Sequence, residues 1–146
     1  MIAVDTNLLL YAHREDSPWH AATTACLAEL ARGPWAIPWP CVHEFLAIAT
    51  HPRVFDPPSP LEDALRAVES WRSVGTLSLL HEVDGYGDVL ARILRASQAV
   101  GPKVHDARIA ALCVQHAVGE LWTADRDFSR FGGLTTRNPL LSRASG

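Results

Sequence analysis

The chain has 146 residues, of which 48% are hydrophobic and 20% are charged, and its formal net charge is −3. Length and apolar content together predict a single domain that is able to bury a core of its own. The mixed, weakly acidic charge excludes a basic nucleic-acid-binding arm and an acidic tail, although a local basic patch remains compatible with nucleic acid.

Short apolar runs alternate with amphipathic segments of helix length, which is typical of an α/β domain built on a parallel sheet. In the first half, the predicted elements are a strand at 1–4, a helix at 17–32, a strand at 35–37 and a helix at 41–51. The helix at 17–32 is predicted to begin with Ser17 as its N-cap and Pro18 at its first position. The helix at 41–51 is apolar almost all round and is therefore predicted to be buried.

The same alternation continues in the second half of the chain. Ser59 and Glu62 form a capping-box pattern around Pro60, which predicts a helix to about Ser73. Its predicted apolar stripe contains Leu61, Leu65, Val68 and Trp71. The later predicted elements are a strand at 76–80, helices at 85–100 and 104–118, a strand at 120–123 and a candidate strand at 134–136. No linker divides the chain, so residues 1–141 are predicted as one domain and 142–146 as a short tail.

Hydropathy and cysteine usage favour a cytoplasmic protein. No stretch approaches the roughly 20 apolar residues of a membrane-spanning helix. Asp5 stands where a signal peptide needs a basic and then an apolar segment. The three cysteines are odd in number and lie in apolar segments, so we expect them to be reduced core residues.

Two carboxylates lie at or just beyond the carboxyl ends of predicted strands. Asp5 comes after the first strand, and Asp125 comes after the fourth. In open parallel sheets, functional groups gather beyond the carboxyl ends of the strands, so both residues are candidates for a shared site. Each also has a simpler explanation, because Asp5 can cap the helix that follows it and Asp125 can be a turn residue.

Two further carboxylates lie on the apolar stripes of predicted helices. Asp106 shares its stripe with Ile109, Ala110 and Cys113, although the macrodipole at a helix N-terminus also favours an aspartate there. Glu44 shares its stripe with Cys41, Phe45 and Ile48. A glutamate among such neighbours needs a partner, for which Arg53 and Arg108 are alternatives to a shared acidic site.

If the four carboxylates converge, they must take up protons or bind cations. Two like charges about 5 Å apart repel by roughly 3 kcal/mol at an effective dielectric constant of about 20. Oxygen ligands without cysteine or histidine select hard ions such as Mg²⁺ or Mn²⁺. The seven histidines form no His-x-x-x-His pair, which argues against a zinc centre. The sequence also contains no glycine-rich phosphate loop and no G-x-S-x-G motif.

Four segments carry a family resemblance over nearly the whole chain. They are "VDTNLLLYA", "HEFLAIATHPRVF", "GPKVHDARIAAL" and "TADRDFSRFGGL". In this order and spacing, they resemble the PIN-domain endoribonucleases, and specifically the VapC toxins of bacterial toxin–antitoxin pairs. The resemblance implies a PIN-like three-layer fold with a mostly parallel sheet of four to five strands. It also implies an Mg²⁺ or Mn²⁺ site, cleavage of RNA, a homodimer and neutralisation by a VapB-like antitoxin.

The resemblance also implies roles for individual residues. The family's acidic residues fall on Asp5, Glu44, Asp106 and Asp125, with Asp127 as a second candidate for the role of Asp125. Asp5 and Asp106 would hold the principal ion, Asp125 would complete the site or recruit a second ion, and Glu44 would orient water or metal. Supporting hydrogen bonds are expected from Thr6, Asn7 and Thr123. Candidate contacts to the RNA backbone are Arg14, Lys103, Arg126 and Arg130.

Three other functions fit parts of this pattern. A phosphotransferase of the haloacid-dehalogenase type starts with a strand-end aspartate but needs a second aspartate where this chain has Asn7. A non-catalytic Mg²⁺-binding signalling module would need an acidic pair and a strand-end lysine that are absent here. A housekeeping RNA-processing nuclease would keep the same fold and site, and a neighbouring antitoxin gene distinguishes it from a toxin.

Overall fold

The computed structural model describes residues 1–141, and the predicted tail at 142–146 lies outside the described residues. The elements in chain order are β1 (Ile2–Val4), α1 (Thr6–His13), α2 (His20–Leu30), β2 (Trp35–Pro38), α3 (Trp39–Ala49), α4 (Leu61–Arg72), β3 (Leu77–Leu80), α5 (Tyr86–Ser97), α6 (Lys103–Gln115), β4 (Glu120–Trp122), a short 3₁₀ helix (Arg126–Arg130) and β5 (Thr136–Arg137).

The five strands within residues 1–141 form one sheet in the order β3-β2-β1-β4-β5, and all four pairings are parallel. The predicted α/β class with a mostly parallel sheet is therefore confirmed. Consecutive residues of the central strands are buried, for example Ala3 and Val4 in β1. Burial of successive residues requires cover on both faces of the sheet, which is why these strands read as continuous apolar runs.

The order of the strands creates a crevice at the carboxyl end of β1. From β1 the chain moves outward to β2 and β3, and it then returns to the other side of β1 to form β4. Connections that leave neighbouring strands in opposite directions open a crevice at the carboxyl edge of a parallel sheet, where ligands bind. The segments that follow β1 and β4 meet at this edge, since the backbone N–H of Asp5 donates to the carbonyl of Trp122 at 2.9 Å.

One predicted helix start and one predicted capping box are wrong. Helix α2 begins at His20 rather than near Ser17, whose hydroxyl accepts from the backbone N–H of Trp19 at 3.2 Å. The predicted capping box of α4 is not formed, because the Ser59 hydroxyl hydrogen-bonds the ring of His13 at 2.8 Å. The contact between Ser59 and His13 joins the end of α1 to the start of α4.

The apolar stripe of α4 also differs from the prediction. Leu61 and Leu65 are 57% and 40% exposed, whereas Ala64 and Val68 are buried. The buried stripe is therefore rotated toward smaller residues, with Trp71 packed against the core at its end. No helix among the described residues is long and apolar enough to cross a membrane.

Candidate active site

Asp5 is the most buried carboxylate at the carboxyl edge of the sheet, with 4% of its surface exposed. Its Oδ1 accepts from the backbone N–H of Thr6 at 2.8 Å, so it also caps α1. Its Oδ2 accepts from the hydroxyl of Thr123 at 2.7 Å, and the thiol of Cys41 makes a weaker contact at 3.5 Å. Burial raises the pKa of Asp5 from 3.8 to about 6, and these hydrogen bonds offset only part of the effect.

The segment after β4 is attached to the segment after β1 by side chains. The hydroxyl of Thr123 accepts from the backbone N–H of Asp125 at 3.0 Å while it donates to Asp5. The Asn7 side-chain oxygen accepts from the backbone N–H of Ala124 at 3.2 Å. Asp125 itself accepts from the backbone N–H of Asp127 at 2.8 Å and so caps the 3₁₀ helix. The simpler explanation of Asp125 as a turn residue therefore holds alongside its place at the site.

Glu44 does not lie on the buried face of α3, so that prediction is wrong. Its side chain is exposed, although Phe45 next to it is buried. Its Oε2 accepts from the hydroxyl of Thr6 at 3.1 Å, and this hydroxyl takes the place of the alternative partners Arg53 and Arg108. Thr6 thus connects Glu44 to the segment that carries Asp5.

Asp106 lies half-buried in the first turn of α6. Its pKa is raised, first by burial and then by the nearby charges of Asp125 and Glu44, while Lys103 acts in the opposite direction. The Lys103 ammonium is 3.8 Å from the Asp106 carboxylate. Burial and the neighbouring carboxylates therefore both disfavour the charged form of Asp106, and Lys103 compensates only in part.

The structure brings the four predicted acids around one small pocket. Its lining residues include Asp5, Glu44, Asp106 and Asp125, together with Thr6 and Asn7. Within residues 1–141, however, no three side chains of His, Cys, Asp or Glu already stand at distances that would hold one ion. The donor set is all oxygen and strongly acidic, which suits a hard divalent cation. For three carboxylates to hold one such ion, the side chains of Glu44, Asp106 and Asp125 would have to rotate toward it.

Asp127, the second candidate for the role of Asp125, points to other contacts. It is exposed and is paired with Lys103, whose ammonium lowers the pKa of the Asp127 carboxyl. It does not line the pocket of the other four acids. The structure thus separates the two aspartates of the "D-R-D" segment, with Asp125 at the pocket and Asp127 at the surface.

The predicted RNA-contacting residues have different surroundings. Arg14 is only 11% exposed, pairs with Asp16 at 2.6 Å and lies over the ring of Phe55, so its side chain is engaged within the fold. Arg126 is exposed and lines a groove next to Asp125. Arg130 is exposed as well.

Two residues near the site were missed by the sequence interpretation. Cys41 was assigned to the core, yet its thiol reaches Asp5, and burial raises the pKa of that thiol well above its usual value. Trp39 was not singled out, although it directly follows β2 and therefore lies at the same sheet edge as Asp5. The position of Trp39 after a parallel strand is the signal that could have identified it.

Comparison with known proteins yields a family match and several relatives. The model of the PIN domain family matches residues 2–134. Ribonuclease VapC43 of Mycobacterium tuberculosis is 32% identical over 142 residues, covering 96% of this chain and 96% of the relative. Ribonuclease VapC48 of the same organism is 28% identical over 138 residues, covering 93% and 95%. The crystal structure of VapBC2 from Rickettsia felis, bound to a DNA fragment from its promoter, matches with a TM-score of 0.68 at 17% identity. It covers 94% of this chain and 98% of that chain, and at this identity the likeness concerns the fold.

Proposed function

Because the chain belongs to the PIN-domain family and to its VapC ribonucleases, we propose that it is a metal-dependent endoribonuclease and the toxin of a toxin–antitoxin pair. The observation that supports the chemistry is the convergence of Asp5, Glu44, Asp106 and Asp125 on one pocket at the crevice of the sheet. We propose Mg²⁺, or Mn²⁺ in its place, as the ion, and the cytoplasm as the place of action.

Asp5 and Asp106 are the residues that would hold the principal ion. Both carboxyls have raised pKa values, so each gains when a cation relieves the cost of its charge. A bound divalent ion supplies a more acidic water and neutralises charge that builds up on the phosphate. The Thr123 hydroxyl holds Oδ2 of Asp5 and the backbone N–H of Thr6 holds Oδ1, so the carboxylate has a fixed orientation at the edge of the pocket.

Glu44 and Asp125 have more freedom than Asp5 and fit roles in handling water. The Thr6 hydroxyl holds one oxygen of Glu44, and the other oxygen is left to orient an attacking water or accept its proton. Asp125 is held by the backbone N–H of Asp127 through one oxygen. Its second oxygen can complete the ion site from the side of β4.

The partner proposal rests on the relatives rather than on the geometry. The matching structure from Rickettsia felis is of a VapBC2 complex bound to a fragment of its promoter. By analogy, we propose that this chain forms a homodimer and is neutralised by an antitoxin encoded next to it. An Arg or Lys of the antitoxin placed among the four carboxylates could displace or mimic the cation.

The chemistry is tested by RNA cleavage with purified protein. Wild type should cleave RNA with Mg²⁺ or Mn²⁺ and stop in EDTA, and Asp106→Asn should lose activity by roughly 100-fold or more. Asp88→Asn is the matched control, because Asp88 also lies in the first turn of a helix but is exposed and away from the pocket. Full activity of wild type in EDTA, or of Asp106→Asn with metal, would contradict the proposal.

The toxin role is tested by growth of bacteria that express the protein. Wild type alone should arrest growth, while wild type with the product of the neighbouring gene, or Asp106→Asn alone, should permit it. Equal growth in all cultures, with soluble wild-type protein that cleaves RNA in vitro, would favour a housekeeping nuclease instead.

A further inference from the structure

A groove leads away from the acidic pocket between α3 and α6. Its volume is about 500 Å³, within the roughly 300–1,000 Å³ usual for small-molecule clefts. Glu44 and Asp106 line both this groove and the acidic pocket, so the two spaces are neighbours across these side chains. Beyond these acids, the walls carry His43, His105 and Arg108. A ligand that reaches the acids can therefore extend along this groove.

The groove adjoins an aromatic pocket, with which it shares Pro40, His43 and Arg108 as lining residues. That pocket has a volume of about 170 Å³ and is lined by Trp39 and His43 together with apolar Leu80 and Leu112. His81, Glu82 and Arg108 supply its polar groups. Trp39 and His43 lie one helical turn apart on α3, which places them on one face. Their ring centroids are 5.9 Å apart with an angle of 29° between the planes, which is a stacked arrangement.

Arg108 supplies an independent sign that this pocket receives a polar ligand. Its Nε atom is buried and has no hydrogen-bond partner among residues 1–141. Buried donors are nearly always satisfied in native proteins, and a bound ligand that drew the guanidinium further into the pocket would give this one a partner. Guanidinium groups also stack on planar ligands and donate to phosphate and to base edges.

We propose that this groove is a subsite for a nucleotide next to the scissile phosphate, and that its base stacks on Trp39 and His43 while Arg108 donates to the same nucleotide. The inference deepens the proposed ribonuclease function and rests on it. Aromatic platforms combined with arginine are the means by which proteins hold single-stranded RNA. Because Glu44 and Asp106 line both the acidic pocket and the groove, a nucleotide in the groove would lie next to the phosphate at the acids.

The test combines protein variants with an altered substrate. Wild type, Trp39→Phe, Trp39→Ala, His43→Ala and Arg108→Gln are compared in steady-state cleavage of a short single-stranded RNA, which gives kcat and KM separately. The same RNA is also made with one base at a time removed on either side of the cut. Trp19→Ala is the control, because Trp19 is 48% exposed and packs on Tyr11 elsewhere on the molecule. Thermal melting of each variant confirms that it is folded, and the exposed His43 gives a variant that does not depend on core packing.

We expect cleavage to weaken when either the stacked base or the Trp39 side chain is removed. Removing both should cause little further loss. Removing the stacked base should lower kcat/KM of wild type roughly 10- to 100-fold, mainly through KM. The same removal should have little further effect on Trp39→Ala, and Trp39→Phe should retain most of the activity. Trp19→Ala should behave as wild type.

Two outcomes would overturn the subsite while leaving the nuclease intact. In the first, wild type cleaves RNA but all groove variants cleave it with unchanged KM. In the second, the groove variants cleave RNA normally but no longer bind the inhibitor from the neighbouring gene. The groove would then bind a segment of that inhibitor and not a nucleotide. If wild type itself does not cleave RNA with any divalent ion, the proposed function fails first and the groove proposal fails with it.

Discussion

The segments that follow β1 and β4 both present an aspartate at the same edge of the sheet, but in opposite electrostatic situations. Asp5 after β1 is buried, and its pKa is raised to about 6 even though a backbone N–H and the Thr123 hydroxyl donate to it. Asp127 after β4 is exposed, and Lys103 lowers its pKa. The surroundings of Asp5 disfavour its charged form, whereas those of Asp127 favour it.

This contrast is the one expected between a carboxylate that binds a cation, as proposed for Asp5, and one that only forms a surface ion pair. A tenfold change in acidity corresponds to about 1.4 kcal/mol, so the rise of the Asp5 pKa from 3.8 to about 6 means that its charged form costs ~3 kcal/mol. A helix cap alone does not explain such a cost, because an asparagine or serine would cap α1 without it. The proposed cation would relieve this cost on binding.

The largest expected effect of the contrast is on catalysis. Asp5→Asn keeps the size of the side chain and the cap on α1 but removes the charge, so RNA cleavage should fall by roughly 1,000-fold or more. Asp127→Asn should change cleavage only a few-fold, because Asp127 lies outside the pocket. Initial rates of both variants with saturating Mg²⁺ make the comparison. Equal losses in the two variants would mean that the "D-R-D" segment supplies its ligand through Asp127.

The parts of the site that could be predicted from the sequence depend on local rules. A carboxylate directly after an apolar run identifies Asp5 and Asp125, because parallel strands end at a common edge. Helical periodicity placed Asp106 on the same face of α6 as the apolar stripe, and Asp106 lines the pocket in the structure. The parallel sheet followed from the alternation of strands and helices.

What the sequence could not predict depends on contacts between distant residues. Ser59 looks like a helix cap, yet His13, 46 residues away, takes its hydroxyl. The exposure of Glu44 depends on which side of α3 the sheet covers, and periodicity does not resolve this in a helix that is apolar almost all round. The pairing of Lys103 with Asp127 spans 24 residues and separates two aspartates that look equivalent in sequence.

A smaller effect of the contrast is on stability without metal. Because the Asp5 pKa is raised in the folded state, the folded protein holds the Asp5 proton more tightly than the unfolded chain does. The stabilisation that results is fully present below about pH 3.8 and is lost as pH rises through about 6. Asp5→Asn removes this dependence, so in EDTA its melting temperature relative to wild type should rise between pH 4 and pH 7 by several degrees. Loss of the hydrogen bond from Thr123 shifts the variant by a constant amount, and the trend with pH is therefore the quantity to measure. A difference that stays constant across this range would show that the Asp5 charge is already compensated.

The smallest effect is expected at Asp127, and its sign with pH is opposite to that at Asp5. The Asp127 pKa is lowered by Lys103, so its stabilisation is present above the usual pKa of an aspartate and disappears as pH falls through the lowered value. Asp127→Asn should therefore lower the melting temperature in EDTA by only about 2 °C or less at pH 7, and the difference should vanish in acid. High salt should also reduce it, because an exposed ion pair is screened by mobile ions. If Asp127→Asn instead melts higher than wild type at pH 7, the Asp127 charge is opposed by the acidic pocket more than it is supported by Lys103. The contrast between the ends of β1 and β4 would then be lost.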